Sequence, residues 1–117
     1  MGNIQRLGSG ERLSEAVVAN GFVFLSGMVP EVASDNVTVQ TADVLCQIDT
    51  WLAQTGSDKS HILEATIFLA DMDDYADMNA AWDAWVDTQN TPARACVEAK
   101  LAKPEWRVEI KVSALVK

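Results

Sequence analysis

Histidine, cysteine and proline are scarce in this chain of 117 residues, which contains one histidine, two cysteines and three prolines. A structural zinc site needs about four His or Cys ligands, so we expect no metal site. Basic residues are also few, nine against seventeen acidic ones, which gives a net charge of −8. This charge disfavours nucleic acid and anionic membranes as partners, because both bind cationic surfaces.

Long apolar runs are also absent from the sequence. No run approaches the roughly 18 apolar residues of a membrane-spanning helix, and the first residues lack the apolar core of a signal peptide. We therefore predict a cytoplasmic protein with reduced thiols at Cys46 and Cys96, and we expect Cys46 to pack in a helix interface. The length suits one domain over residues 1–117.

Two segments with helical periodicity alternate with strand-like segments. Asn20-Gly21 predicts a tight hairpin turn, and the strand that follows it, 22–26, is apolar on both faces and is expected to be buried. Apolar residues recur at three- and four-residue steps from about 38 to 55 and again over 75–86, as in amphipathic helices. The β-branched run at 65–70 predicts an interior strand.

The last two predicted strands, 94–101 and 107–114, alternate strictly. We predict that a helix-free face carries one set of charged and small side chains from both strands: Arg94, Cys96, Glu98, Glu109 and Lys111. The aromatic residues of the second helix, including Tyr75 and Trp82, are interpreted as core packing. The order β-β-α-β-α-β-β with two amphipathic helices predicts an α+β two-layer sandwich.

Three short motifs carry a resemblance to a known family: Ser26-Gly27-Met28-Val29-Pro30, Pro92-Ala93-Arg94-Ala95-Cys96-Val97-Glu98 and Val108-Glu109-Ile110. They resemble the signatures of the RidA family (YjgF/YER057c/UK114), and the resemblance covers about residues 16–114. It implies a chorismate-mutase-like sandwich and a homotrimer with a cleft between subunits. It also implies hydrolysis of reactive imines and enamines, such as 2-aminoacrylate, to 2-keto acids and ammonia without a cofactor.

The resemblance further implies roles for individual residues of that cleft. In this family the arginine that matches Arg94 binds the substrate carboxylate, and the residues that match Cys96, Glu109 and Ser26 line the same pocket. The family's imine deaminases usually have a tyrosine where ungapped alignment places Leu13. This difference removes a hydroxyl group from the expected pocket.

The chemistry of Arg94 and Glu109 allows two interpretations of each. The Arg94 guanidinium could bind a carboxylate through two parallel hydrogen bonds, or it could form an ion pair with Glu98 on the same strand face. Glu109 could move protons during imine hydrolysis, or it could pair with Lys111 or Arg107 on the surface.

Cys96 and Ser26 have weaker chemical signals. No histidine accompanies Cys96, so we interpret it as a pocket wall and not as a nucleophile. The Ser26 hydroxyl could hold substrate or water, or it could bond the neighbouring turn.

Three functions are therefore considered, two with a small molecule as the ligand and one with RNA as the target. The first is an imine/enamine deaminase in which Arg94 and Glu109 are catalytic and Arg94, Cys96, Ser26 and Leu13 contact the substrate. The second is a trimer that binds small carboxylates without turnover. The third, a ribonuclease or translation inhibitor, is disfavoured by the net charge of −8 and by the lack of a histidine pair.

Overall fold

The computed structural model describes residues 3–117 as a six-stranded sheet with two helices on one of its faces. The strands are β1 (Gln5–Leu7), β2 (Ala16–Ala19), β3 (Phe22–Leu25), β4 (Ile62–Leu69), β5 (Ala93–Glu98) and β6 (Val108–Leu115), and the helices are α1 (Val37–Gln54) and α2 (Tyr75–Trp85). The sheet order is β1-β2-β3-β6-β4-β5, with β4 and β5 parallel and the other neighbours antiparallel. This architecture confirms the predicted α+β two-layer fold.

The hairpin between β2 and β3 forms as its sequence predicts. Asn20 and Gly21 have φ angles of 53° and 79°, the left-handed values that a two-residue turn requires. The prediction that β3 is buried on both faces is wrong, since Phe22 and Phe24 are 41% and 45% exposed. The two helices cover only the opposite face of the sheet, so these phenyl rings lie on an open face.

Helix α1 has both of the end signals that its sequence suggests. The Asn36 side chain accepts a hydrogen bond from the Val39 backbone N–H, and Gly56, just beyond the helix, has a φ of 78°. The helix packs a continuous stripe against the sheet: Val37, Thr41, Val44, Leu45, Ile48 and Leu52. Cys46 lies outside this stripe and is exposed, so the prediction that it packs in the helix interface is wrong.

Strand β1 was absent from the predicted order. It has three residues, its first two are exposed, and it pairs with β2 at the sheet edge in the register Arg6↔Val17. Three residues are too few to show a periodicity in the sequence. Backbone pairing with β2 holds this strand in the sheet. The observed order is therefore β-β-β-α-β-α-β-β.

The side chains that β5 directs toward the helices are the ones predicted to lie on the helix-free face, so that prediction is wrong for β5. Arg94 pairs with Ala65 of β4, which also pairs with Val112 of β6, and both Ala65 and Val112 are buried under the helices. Since paired residues share a face, one set of side chains points to the helix layer: Arg94, Cys96 and Glu98. Alternation shows which side chains share a face, but not which face is covered when both contain small residues.

Strand β6 agrees with its predicted orientation. Val108, Ile110, Val112 and Ala114 are buried against the helices, whereas Glu109 and Lys111 belong to the open face. Glu109 pairs with Phe68 of β4 and not with a residue of the covered face.

The hydrophobic core lies between the sheet and the two helices. It includes fully buried side chains from β4, α1, α2 and β6, among them Ile67, Ile48, Met78 and Ile110. Within residues 3–117, no helix is both long enough and apolar enough to cross a membrane.

Candidate active site

The predicted site residues lie in two groups on different parts of the sheet. The first group, which we call the arginine edge, consists of Arg94 and Cys96 on β5 together with three α2 residues that contact Arg94: Tyr75, Asn79 and Trp82. The second, which we call the glutamate cleft, is a cleft of about 430 Å³ beyond the end of β3, and its lining includes Leu13, Ser26, Gly27, Trp106 and Glu109. A single chain therefore does not bring Arg94 and Glu109 together.

At the arginine edge, neutral groups hold the Arg94 guanidinium. Its Nη1 donates to Oδ1 of Asn79 at 2.7 Å, and its Nη2 donates to the hydroxyl oxygen of Tyr75 at 3.0 Å. The guanidinium carbon lies 5.2 Å from the centroid of the Trp82 ring and 5.7 Å from that of Tyr75. These contacts fix the orientation of the cation and leave its charge uncompensated.

The interpretation in which Glu98 neutralises Arg94 is wrong. Although both side chains point to the helix layer, Oε1 of Glu98 accepts a hydrogen bond from the Met72 backbone N–H at 2.9 Å. Among residues 3–117, Arg94 makes no ion pair with any carboxylate. The guanidinium is therefore able to receive an anion from outside the chain.

Cys96 lies beside Arg94 on the same face of β5 and is half-buried. Burial raises the pKa of the Cys96 thiol, and the positive charge of Arg94 lowers it by a smaller amount. A thiol with a raised pKa is protonated at neutral pH and is a poor nucleophile. The raised pKa of the thiol argues against Cys96 as a nucleophile.

Helix α2 holds Arg94, a role that the periodicity of its sequence does not predict. Tyr75 was interpreted as core, but it is 43% exposed, and Asn79 was not singled out. Asn79 is four residues after Tyr75 and three before Trp82, so all three side chains share one helix face. A polar amide within an aromatic stripe is the signal that could have identified this face.

In the glutamate cleft, the Glu109 side chain packs directly on the backbone of Gly27. A Cβ atom at Gly27 would lie 2.9 Å from Cδ of Glu109, closer than real Cβ atoms approach other atoms. The neighbouring residues fix this approach, because Met28 N donates to the Ile110 carbonyl at 2.8 Å and Ile110 N donates to the Met28 carbonyl at 3.1 Å. Glycine is therefore the residue that leaves room for the Glu109 carboxylate.

The two ion pairs considered for Glu109 do not form. Arg107 instead donates to both carboxylate oxygens of Asp74, at 2.7 and 3.0 Å. Among the ion pairs within residues 3–117, none involves Glu109 or Lys111. The half-buried Glu109 carboxylate thus faces the cleft without a charged partner.

Ser26 and Leu13 complete the predicted set at the glutamate cleft. The Ser26 hydroxyl donates to the Ser14 carbonyl at 2.6 Å, so its proton is used by the segment that precedes β2 and not by the turn that follows Ser26. Ser26 lines the cleft, and a hydroxyl oxygen that donates its hydrogen is still able to accept a hydrogen bond. Leu13 also lines it, with 51% of its surface exposed, and contributes an apolar wall.

No cluster of three or more His, Cys, Asp or Glu side chains suitable for a metal ion occurs between residues 3 and 117. The single histidine, His61, bonds Asp58 through Nδ1 at 2.7 Å in the turn before β4. It lines neither the arginine edge nor the glutamate cleft.

Comparison with known proteins identifies the family. A family model described as Endoribonuclease L-PSP matches residues 3–116, nearly the whole chain. The chain belongs to this family, the YjgF/RidA family.

Relatives resemble the chain over nearly its full length. A RutC family protein of Haemophilus influenzae is 53% identical over 112 residues, which cover 95% of this chain and 97% of that protein. The RutC family protein YoaB of Escherichia coli is 47% identical over 113 residues, covering 97% and 98%. The crystal structure of a YjgF family member from Neisseria meningitidis has a TM-score of 0.96 and 62% identity, covering 98% of this chain and 96% of that one.

These comparisons establish the family and the fold of the YjgF/RidA proteins for this chain. The relatives are called RutC family proteins, whereas the family model is described as an endoribonuclease, so these names do not agree on one reaction. The activity must therefore be argued from the arginine edge and the glutamate cleft.

Proposed function

We propose that this protein hydrolyses reactive 2-imino and enamino acids of the 2-aminoacrylate type to 2-keto acids and ammonia. The observation that carries this proposal is the guanidinium of Arg94, which is held in place by Asn79 and Tyr75 and has no carboxylate partner within residues 3–117. A carboxylate on the carbon next to the reacting C=N bond would bind there through two charge-assisted hydrogen bonds.

We also propose that the active protein is a homotrimer, in which the arginine edge of one subunit meets the glutamate cleft of the next. One chain cannot assemble this site, because Arg94 and Glu109 lie on opposite faces of the sheet. The open face supports association, since it carries large apolar side chains that are each 38–45% exposed: Phe22, Phe24, Leu63, Val97 and Leu115. An exposed apolar set of this kind is typical of a protein interface.

In the proposed reaction, water attacks the imine carbon while Glu109 accepts a proton from that water. The new C–O bond forms as the electron pair of the C=N bond moves to nitrogen, giving a carbinolamine. Glu109 returns this proton to nitrogen, then takes the hydroxyl proton of the carbinolamine and passes it to nitrogen as well, so that the C–N bond breaks and ammonia leaves as the C=O bond forms. An enamine first takes a proton at its methylene carbon and loses one from nitrogen, which converts it to the imine. Arg94 makes the carbon more electrophilic by compensating the adjacent carboxylate charge.

The activity is tested by generating 2-aminoacrylate and a second imino acid in situ and measuring release of keto acid. We expect wild type to accelerate release, and Arg94→Lys to reduce kcat/KM roughly thirtyfold, because lysine keeps the charge and loses the planar fork. Arg6→Lys makes the same change at an exposed arginine of β1 and should leave activity unchanged. No acceleration over buffer with any imino acid would refute the deaminase proposal.

Calorimetry on the same variants distinguishes the deaminase from the alternative function, binding of small carboxylates without turnover. Leu13 favours this rival, since it supplies no hydroxyl group to the glutamate cleft. Tight binding of a 2-keto acid that Arg94→Ala abolishes, together with no turnover, would establish a binding protein in place of an enzyme.

The shared site is tested by mixing two inactive variants, Arg94→Ala and Glu109→Gln. In randomly mixed trimers, about a quarter of the clefts would combine an intact Arg94 from one subunit with an intact Glu109 from the next. We therefore expect activity to return to about a quarter of the wild-type value after subunit exchange. A mixture that stays inactive, although native mass spectrometry shows mixed trimers, would refute the shared site.

Because the family model is described as an endoribonuclease, RNA cleavage is measured in wild type and in Arg94→Ala. The net charge of −8 argues against RNA as the substrate. RNA cleavage that persists equally in wild type and Arg94→Ala would indicate a copurifying nuclease, whereas cleavage lost in the variant would favour the ribonuclease.

A further inference from the structure

Tyr75 is the single tyrosine of the chain and the first residue of α2. Its hydroxyl oxygen lies 3.0 Å from Nη2 of Arg94, and its ring centroid lies 5.7 Å from the guanidinium carbon. The side chain is 43% exposed, so it contributes less to the core than the buried Trp82 on the same helix. Its contacts therefore serve Arg94 more than they serve the fold.

The phenol group has a hydrogen that no neighbour uses. Its oxygen accepts from Arg94, and among residues 3–117 its own O–H has no acceptor. Arg94 in turn uses one N–H toward Asn79 and one toward Tyr75, and its other N–H groups have no acceptor within the described chain. The free O–H and the free N–H groups lie side by side at the exposed edge of β5.

We propose that Tyr75 is a binding residue of the carboxylate site: it holds Arg94 in place and donates its hydroxyl hydrogen to an oxygen of the bound carboxylate. This inference rests on the proposed function, because it assigns a third donor to the ligand of Arg94.

The first test is Tyr75→Phe, which keeps the aromatic ring over the guanidinium and removes only the hydroxyl. We expect KM for the imino acid to rise roughly tenfold with kcat within about twofold, because the bond to the carboxylate exists in both the ground state and the transition state. Thr38→Val is the matched control. It removes a hydroxyl that donates to the Asp77 carbonyl of α2 at 2.8 Å, so it loosens the helix without touching Arg94, and its KM should not change.

A second test does not depend on turnover. Protein labelled with ¹³C at Cζ of tyrosine gives one signal, because the chain has one tyrosine. We expect pyruvate to shift this signal in wild type and not in Arg94→Lys, and we expect Tyr75→Phe to bind pyruvate roughly tenfold more weakly by calorimetry. A signal that does not respond while pyruvate binds would overturn the role of Tyr75.

The outcomes separate this inference from the proposed function. A wild type that deaminates imino acids, with an unchanged KM and pyruvate affinity in Tyr75→Phe, overturns the inference alone. A wild type that neither turns over imino acids nor binds pyruvate overturns both. If pyruvate binds without turnover, weaker pyruvate binding by Tyr75→Phe supports the inference, and equal binding overturns it. A fall in kcat accompanied by a lower melting temperature, with KM unchanged, would make Tyr75 a structural residue and refute the inference.

Discussion

Two arginines of this chain, Arg107 and Arg94, contact the same helix region in opposite ways. Arg107 donates to both oxygens of the Asp74 carboxylate and, at 2.8 Å, to the Asp35 carbonyl. Arg94 donates to an amide and a hydroxyl, so no negative charge balances it within residues 3–117. The first arginine is neutralised by the chain, whereas the second keeps its charge available.

The surroundings of Arg107 show what a structural role requires. Gln40, which is 1% exposed, accepts from the Arg107 backbone N–H at 2.9 Å and donates to the carbonyls of Ser34 and Glu105. These bonds fix the segment that leads into β6, and therefore the position of Glu109. Charge compensation, and not burial alone, separates an arginine that supports the fold from one that is able to bind a ligand.

The largest expected effect is the loss of stability in Arg107→Met. The Asp74 side chain is 10% exposed, so losing its partner leaves a largely buried carboxylate unpaired, at a cost of about 3 kcal/mol in the free energy of unfolding. Arg94→Met should cost less than about 1 kcal/mol, since it removes contacts with neutral groups and rings. Urea unfolding of both variants measures this difference, and equal losses would show that Arg94 is structural too.

The sequence predicted the covered face of the sheet where the pattern was strongly apolar, and it failed where the pattern was weak. In β6, large aliphatic residues alternate with polar ones, so the inward set was identified correctly. In β5, Ala95 and Val97 are too small to decide the face, and the direction of Arg94 depends on partners in α2 that are distant in sequence.

The candidate site shows the same limit. The motifs identified Arg94 and Glu109, but their separation onto two faces follows from strand pairing, which alternation alone cannot show. Tyr75 carried only a helical-period signal, which is also what a core residue shows. Its exposure and its bond to Arg94 became visible only in three dimensions.

The next largest expected effects are those of alanine at two glycines, one in the glutamate cleft and one in the hairpin turn. Gly27→Ala places a methyl group against the flexible Glu109 side chain, so we expect roughly a tenfold loss of kcat/KM with little loss of stability. Gly21→Ala meets no atom within 4 Å but must adopt a φ of 79°, so we expect about 1 kcal/mol less stability and unchanged activity. Deaminase assays and urea unfolding on both variants give the two readouts. Retained activity in Gly27→Ala would remove Glu109 from the reaction.

The smallest expected effect concerns Asp58, a carboxylate whose hydrogen-bond partners lie two and three residues away in sequence. Hydrogen bonds from the side chains of Ser60 and His61 hold the pKa of Asp58 well below its usual range. Since the folded pKa is the lower one, this stabilisation is fully present above about pH 4 and is lost as the pH falls toward the folded pKa. Ser60→Ala should therefore lower the free energy of unfolding by less than about 1 kcal/mol at pH 5, because Asp58 is exposed, and by less again at pH 3. Thr50→Ala, whose hydroxyl bonds only the Cys46 carbonyl, should show no such dependence on pH. A Ser60→Ala effect of equal size at both pH values would mean that the hydroxyl acts through the turn geometry and not through the charge of Asp58.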